Sequence, residues 1–458
     1  MTRSMHDQTK QHDQNRRALL LTGLFGTGLL GLRALATGLP AWFLANPQAA
    51  QADELTCALT NASRAQFLIV SAASAGCPIN CNVPGTYDVP ALIHPAQAEF
   101  ASTPISLGGT TINGAKIWTG LSDAVRARTN FFHHITSATV HGDHPKSLKL
   151  MGKTANNEML PSIYAKHLAP CLGTVLTEPV AVGVQGNSLE QLSFSGRPLS
   201  AISPLQLKEL LSGNKTNPLV KLRSLRDQTL NELNGLLKDG GNQAQLAFLD
   251  AMASSQTQVR KLADNLASTL AAITDNGVQG QALAAAALVS AKVTPVVSLR
   301  IPFGLDNHED ADLYDEWFQG SDHGGTKQGV AGIQAVMDAL ASLNQQDAAT
   351  FATMNVFGRD LNGSAKVTAR NGRDHFGNHA VMVMIGKNIN PGVTGGVSVI
   401  ANGIYGAADI SSAGVARADT HKAAAKTLGV ALGIDIASLH KNFTDNGRVD
   451  YVKATVRS

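Results

Sequence analysis

The stretch "TKQGVAGIQAVMDALASLNQQDAATFATMNVFG", Thr326 to Gly358, decides the fold class. Its first half is amphipathic, with apolar residues recurring at the three- and four-residue spacing of a helix. Its second half, "TFATMNVFG", is a short and largely apolar run of the kind a buried strand requires. The same order appears upstream in "QALAAAALVSAKVTPVVSLRI", which reads as a helix, a turn near Lys292 and a strand over Pro295–Ile301. Two more apolar runs read as buried strands, "QFLIVSAAS" at Gln66–Ser74 and Ala380–Ile385. Strand and helix alternating over this length predict an α/β fold, a mostly parallel central sheet with helices on both faces. One region breaks the rhythm. From Ser203 to Ile273 the pattern is helical, and "SPLQLKELL" opens it with a Ser cap and a Pro at the first helical position. It reads as a helical insertion over about residues 203–275.

The N-terminus reads as an address. Paired Arg16 and Arg17 precede Leu19, Leu20 and an apolar stretch that ends in Ala50-Gln51-Ala52, a small-x-small cleavage site. This resembles a Tat export signal over residues 1–52, with cleavage near Ala52 and a domain over 53–458. Arg33 interrupts the run, leaving it short of the ~20 residues of a membrane span. The expectation is a periplasmic or secreted protein that is not integral to the membrane once the signal is cleaved. Without the five Lys/Arg and two Asp/Glu of residues 1–52, the mature chain carries 32 of each, so its net charge is zero. Such a chain lacks the basic footprint of a nucleic-acid binder. All four cysteines, Cys57, Cys77, Cys81 and Cys171, fall in the exported part, where an even count favours two disulfides of open connectivity.

In parallel sheets, ligand-binding residues collect beyond the carboxyl ends of strands. Of the twelve histidines after residue 52, eight fall into three short windows. The first is "NFFHHITSATVHGDHPKS", with His133, His134, His141 and His144. The second is "GLDNHEDADLYDEWFQGSDHGG", with Asp306, His308, Asp322 and His323. The third is "NGRDHFGNHAVMVMIG", with Arg373, Asp374, His375 and His379 ahead of an apolar run. Imidazoles and carboxylates drawn from separated loops form the ligand set of zinc, manganese or iron.

Several segments, in order, carry a family resemblance. They are "FLIVSAASAGCPINCNVPGTYDVP", "VHGDHPKSLKLMGK", "QALAAAALVSAKVTPVVSLRIPFGLDNHED" and "AAAKTLGVALGIDIASLH". The most specific element pairs Phe357-Gly358-Arg359 with Gly372-Arg373-Asp374-His375. The chain resembles a bacterial family of Tat-exported proteins catalogued as a domain of unknown function, assigned to the alkaline phosphatase and sulfatase superfamily. The resemblance implies an alkaline-phosphatase-like sheet and divalent metal at strand ends that polarises a phosphate or sulfate ester. Asp306, His308 and His375 match positions of metal ligands. Arg359 and Arg373 match positions where a guanidinium pairs with an oxyanion, and His141 and His144 join them as substrate-binding residues. At two places where the family usually carries an acid, this chain has Gly85 and Val356. Asp88, Asn82 or Asp360 would be the candidates to replace those acids, and Ser147 and Thr136, hydroxyls within the first window, the candidates for a nucleophile. The expected centre is therefore one divalent metal ion held by two histidines and one carboxylate. A small anionic ester is the expected partner. The other reading is a catalytically degenerate binding protein that keeps the fold.

Overall fold

In a computed structural model, residues 57, 62–73, 78–94, 98–183, 192–212, 232, 246, 266–301, 303, 326–361, 373–401, 403–410 and 414–457 are described. Residues 1–52, which read as an export signal, lie outside them, as do Cys77, Asp306, His308, Asp322 and His323. The chain divides into two compact units, one of residues 1–54 with 214–265 and the other of residues 55–213 with 266–458. The second unit carries everything that follows.

Eight strands form its sheet: β1 (Phe67–Ala73), β4 (Thr129–His134), β5 (Val180–Val182), β8 (Ala201–Ile202), β9 (Val296–Leu299), β10 (Ala349–Asn355), β13 (Ala380–Ile385) and β14 (Gly392–Thr394). Their order is β14-β4-β13-β10-β1-β9-β5-β8. Every neighbouring pair is parallel except those that involve β13, which runs against both β10 and β4. Among the described residues there are also four two-stranded ribbons: β2 (Ser102–Leu107) with β3 (Thr110–Ala115), β6 (Ser193–Phe194) with β7 (Arg197–Pro198), β11 (Gly358–Arg359) with β12 (His375–Phe376), and β15 (Val397–Ala401) with β16 (Ile404–Ala407).

Both sheet faces are covered, as the continuous apolar runs require. Leu68, Val70, Phe132, Ala352, Met354, Met382 and Met384 share one core with the helices Leu160–Leu172 and Thr420–Ala431. The alternate residues Ile69, Phe131, Phe351 and Val383 are buried too, and Phe131 meets Trp118 edge-on at 4.8 Å.

The helices end where the sequence places αL residues. Helix Val278–Ser290 stops at Lys292 with a φ of 50°, and the Val293 N–H returns to the Leu288 carbonyl at 2.9 Å. Helix Thr326–Ser342 stops at Asn344 with a φ of 57°, and the Gln345 N–H returns to the Leu340 carbonyl at 2.7 Å. Both are Schellman closures, which hand the chain sharply to the next strand. Helix Pro204–Ser212 opens with a reciprocal capping box. The Gln206 N–H donates to Ser203 Oγ at 3.2 Å and the Ser203 N–H to Gln206 Oε1 at 3.1 Å. Most of the expected insertion beyond this helix lies outside the described residues.

One strand boundary differs from expectation. The run "TFATMNVFG" was expected to be strand to its end, but β10 closes at Asn355 and the chain leaves the sheet to build β11. Among the described residues, no helix is long and apolar enough to cross a membrane.

Candidate functional site at the carboxyl edge of the sheet

Parallel strands deliver their carboxyl ends to one edge, and antiparallel β13 delivers its beginning there. His134 at the end of β4 faces Ala380 at the start of β13, and Asn355 at the end of β10 faces Ala73 at the end of β1. β9 ends at the same edge, where the Ile301 N–H donates to Ser71 Oγ at 3.1 Å. The segment bearing Asp306 and His308 follows a few residues later. The first window leaves the sheet at this edge and the third enters it there; the second lies outside the described residues.

The first and third windows meet directly. The Thr136 and Ser137 N–H groups both donate to the Gly377 carbonyl, at 2.9 and 3.0 Å. His375 Nδ1 lies 2.7 Å from the Thr139 carbonyl. A carbonyl only accepts, so Nδ1 carries a hydrogen, and a neutral ring would present its lone pair at Nε2. The His141 and His375 rings stand perpendicular with centroids 4.5 Å apart. Phe357, two residues past β10, stacks on His375 at 4.2 Å and meets His141 at 5.1 Å. The Arg359 guanidinium carbon lies 5.7 Å from the Phe357 ring. One phenyl ring thus joins two imidazoles and a guanidinium from three separate segments.

The other site residues have these places. Arg359 is fully buried, and its Nη1 donates to the Arg373 carbonyl at 3.3 Å. Arg373 is also buried, and its Nη1 donates to the Asp360 carbonyl at 3.0 Å. The two arginines thereby tie the segment that follows β11 to the segment that precedes β12. His144 is buried against β10, with Nε2 3.4 Å from the Met354 carbonyl. Asn82 accepts the Trp118 indole N–H at 2.9 Å, and Asp88 accepts from Asn113 at 3.2 Å. Thr136 and Ser147 are buried hydroxyls.

Gly85 has a φ of +94°, and a Cβ there would lie 2.8 Å from His133 Nε2 and 2.9 Å from Val393 Cγ1. Val356 is buried in a small apolar cluster with Ala138 and Phe357. Gly85 therefore has no room for a side chain, and an acid at 356 would lie among apolar neighbours. Among the described residues, no group of three or more His, Cys, Asp or Glu is arranged to hold a metal ion.

The loop after β4 is strained. Ser137 has a φ of 60°, and Leu150, Met151 and Gly152 run consecutively through 51°, 54° and 83°. Left-handed backbone costs a residue with a Cβ roughly 1–2 kcal/mol, and such conformations cluster at functional sites.

A second group of residues was given no place in the expected site by the sequence reading. His133 and His379 are fully buried and joined Nδ1 to Nε2 at 3.0 Å. Asn80 touches both His379 and Arg359. Both histidines stood in the quoted windows, whereas a lone buried Asn in "CPINCN" carries no periodic signal.

Fold and site together define an α/β protein whose histidines and arginines gather where parallel strands end. The chain belongs to the family described as "Protein of unknown function (DUF1501)", which matches residues 180–448, more than half of its length. No curated protein and no solved structure matches it.

Proposed function

We propose that this protein is an exported, hydrolase-like member of the alkaline phosphatase and sulfatase superfamily, acting on a small phosphate or sulfate ester with one divalent metal ion. The observation that carries this reading is the convergence of His141, Phe357, Arg359 and His375 at the carboxyl edge of the sheet. Zinc, manganese or iron would be held by His375 together with Asp306 and His308. The His375 Nδ1–H bond to the Thr139 carbonyl supports that role, because an outer hydrogen bond fixes the tautomer that presents Nε2 to a metal. Such an ion supplies polarisation of the ester oxygen. The chain's own contribution is recognition. Arg373 and Arg359 offer guanidinium donors to an oxyanion, and His141 and His144 border the same region. The Cys57–Cys171 disulfide supports an oxidising destination, periplasmic or secreted, reached through residues 1–52 as a Tat-type signal cleaved near Ala52.

A second reading is favoured by a separate observation, the closed surroundings of Gly85 and Val356. It is a binding protein that takes the same anionic ester without turning it over. A panel of phosphate and sulfate monoesters separates the two. The hydrolase reading expects turnover by the purified protein that falls about a hundredfold in His375→Ala. Turnover that survives this substitution contradicts it, and anion binding without turnover selects the binding protein.

A further inference from the structure

Asn80 lies in the 3-10 turn Pro78–Cys81 that follows β1, and its side chain is buried. Its amide uses all its hydrogen-bonding capacity. Oδ1 accepts the Arg359 N–H at 2.8 Å and faces the Cys81 thiol at 3.7 Å. Nδ2 donates to the Arg359 carbonyl at 2.8 Å and to His379 Nδ1 at 3.3 Å. The paired bonds to Arg359 imitate one residue of a neighbouring strand. Gly358 makes this approach possible, since a Cβ there would lie 2.6 Å from Asn80 Cγ and 2.2 Å from the His379 carbonyl oxygen. Tyr405 completes the clamp by donating its hydroxyl to the Arg359 carbonyl at 3.0 Å.

The amide has one allowed orientation. Flipped, it would set NH2 against the Arg359 N–H and oxygen against the Arg359 carbonyl, two repulsions in place of two bonds. Because Nδ2 donates to His379 Nδ1, that nitrogen carries the lone pair, and His379 Nε2–H donates to His133 Nδ1 at 3.0 Å. His133 Nε2–H then donates to the Pro84 carbonyl at 2.9 Å. The Asn80 amide at one end and the Pro84 carbonyl at the other require the same two tautomers, and the chain of bonds joins β11, the residue before β13, β4 and the loop after β1.

We propose that Asn80 is the positioning residue of the candidate site, its amide holding Arg359 in place and, together with the Pro84 carbonyl, fixing the proton positions of His379 and His133. Only its effect on anion affinity rests on the function proposed above. The titratable groups around His379 are His133 and His134 on β4 and Tyr405 on β16, with Cys81 and Arg359 beside Asn80.

The test combines nitrogen NMR of 15N-histidine-labelled protein with calorimetric titration of inorganic phosphate, on wild type, Asn80→Asp and His379→Gln. In wild type, both rings are expected neutral and protonated at Nε2. Asn80→Asp replaces the NH2 with a carboxylate oxygen, so His379 is expected to gain a proton at Nδ1, and phosphate affinity to fall about tenfold. His379→Gln keeps the donor toward His133 and is expected to leave the His133 tautomer intact. A wild-type His379 protonated at Nδ1 overturns the inference without recourse to any variant. So do unchanged spectra and unchanged phosphate affinity in Asn80→Asp. The expected tautomers and their switch, with no phosphate binding even to wild type, uphold the positioning of the imidazoles and overturn the anion site instead.

Discussion

His133 shows how a single buried side chain can set a pH limit for the whole molecule. Burial pushes its ring down from the usual histidine value to about 4, the Pro84 carbonyl pulls the other way, and neighbouring His134 deepens the drop. Burial likewise brings His134 to about 4, and His379 lies well below the ordinary value. The unfolded rings take up protons near pH 6.5, while the folded ones refuse them until about pH 4. Stability contributed by these rings is therefore complete above pH 6.5 and lost as pH falls through that window. Each of His133 and His134 withdraws roughly 3 kcal/mol by its lower end. Thermal melts are expected to be level from pH 8 to 7 and to fall between pH 6.5 and 5, before most carboxylates titrate. A melting temperature that stays level to pH 5 contradicts the neutral buried cluster. None of this was legible in "NFFHHITSATV". A pair of adjacent histidines reads the same whether it faces a metal, solvent or a core. Only the register of β4 with β13 brings His133 beside His379.

Elements were more legible than residues, because each has a period or a punctuation mark. The turn at Lys292, the capped start at Pro204 and the buried runs of β1, β9 and β13 are all local signals, and each fell within a residue or two of its place. The end of β10 was not local. "VFG" is as apolar as the strand before it, and what stops the strand is a tertiary choice, the diversion of Gly358–Arg359 into pairing with His375–Phe376. The antiparallel direction of β13 was hidden for the same reason, since pattern carries no direction. Cysteine pairing was open among three connectivities until Cys57 met Cys171 across a separation of 114 residues, on the end of helix Leu160–Leu172. Cys81 is buried near Asn80, and Cys77 lies outside the described residues. Closing so long a loop restricts the unfolded chain, so Cys171→Ser is expected to lower stability by about 2–5 kcal/mol. Denaturant titration with and without reductant measures it. Identical midpoints for wild type and variant under oxidising conditions would show that the bond contributes nothing.

At the scale of the molecule, the account rests on a geometric rule that the sequence alone could support only in outline. Parallel strands expose their carboxyl ends together, and the sheet order places β4, β10, β1 and β9 so that the first and third windows share one edge, the edge at which β9 also ends. His141 and His375 meet there, with Phe357 between them and Arg359. The strained turn at Leu150–Gly152 belongs to the same region through Met151, which packs against Val356 and Phe357. At positions 85 and 356 the structure has a glycine crowded by the His133 and Val393 side chains and a valine packed with Ala138 and Phe357. Elemental analysis of protein purified without chelators tests the central claim most directly. It is expected to find close to one equivalent of zinc, manganese or iron per chain, and to find it lost from the His308→Ala/His375→Ala double variant. Metal-free wild-type protein, or a double variant that keeps its metal in full, contradicts the account.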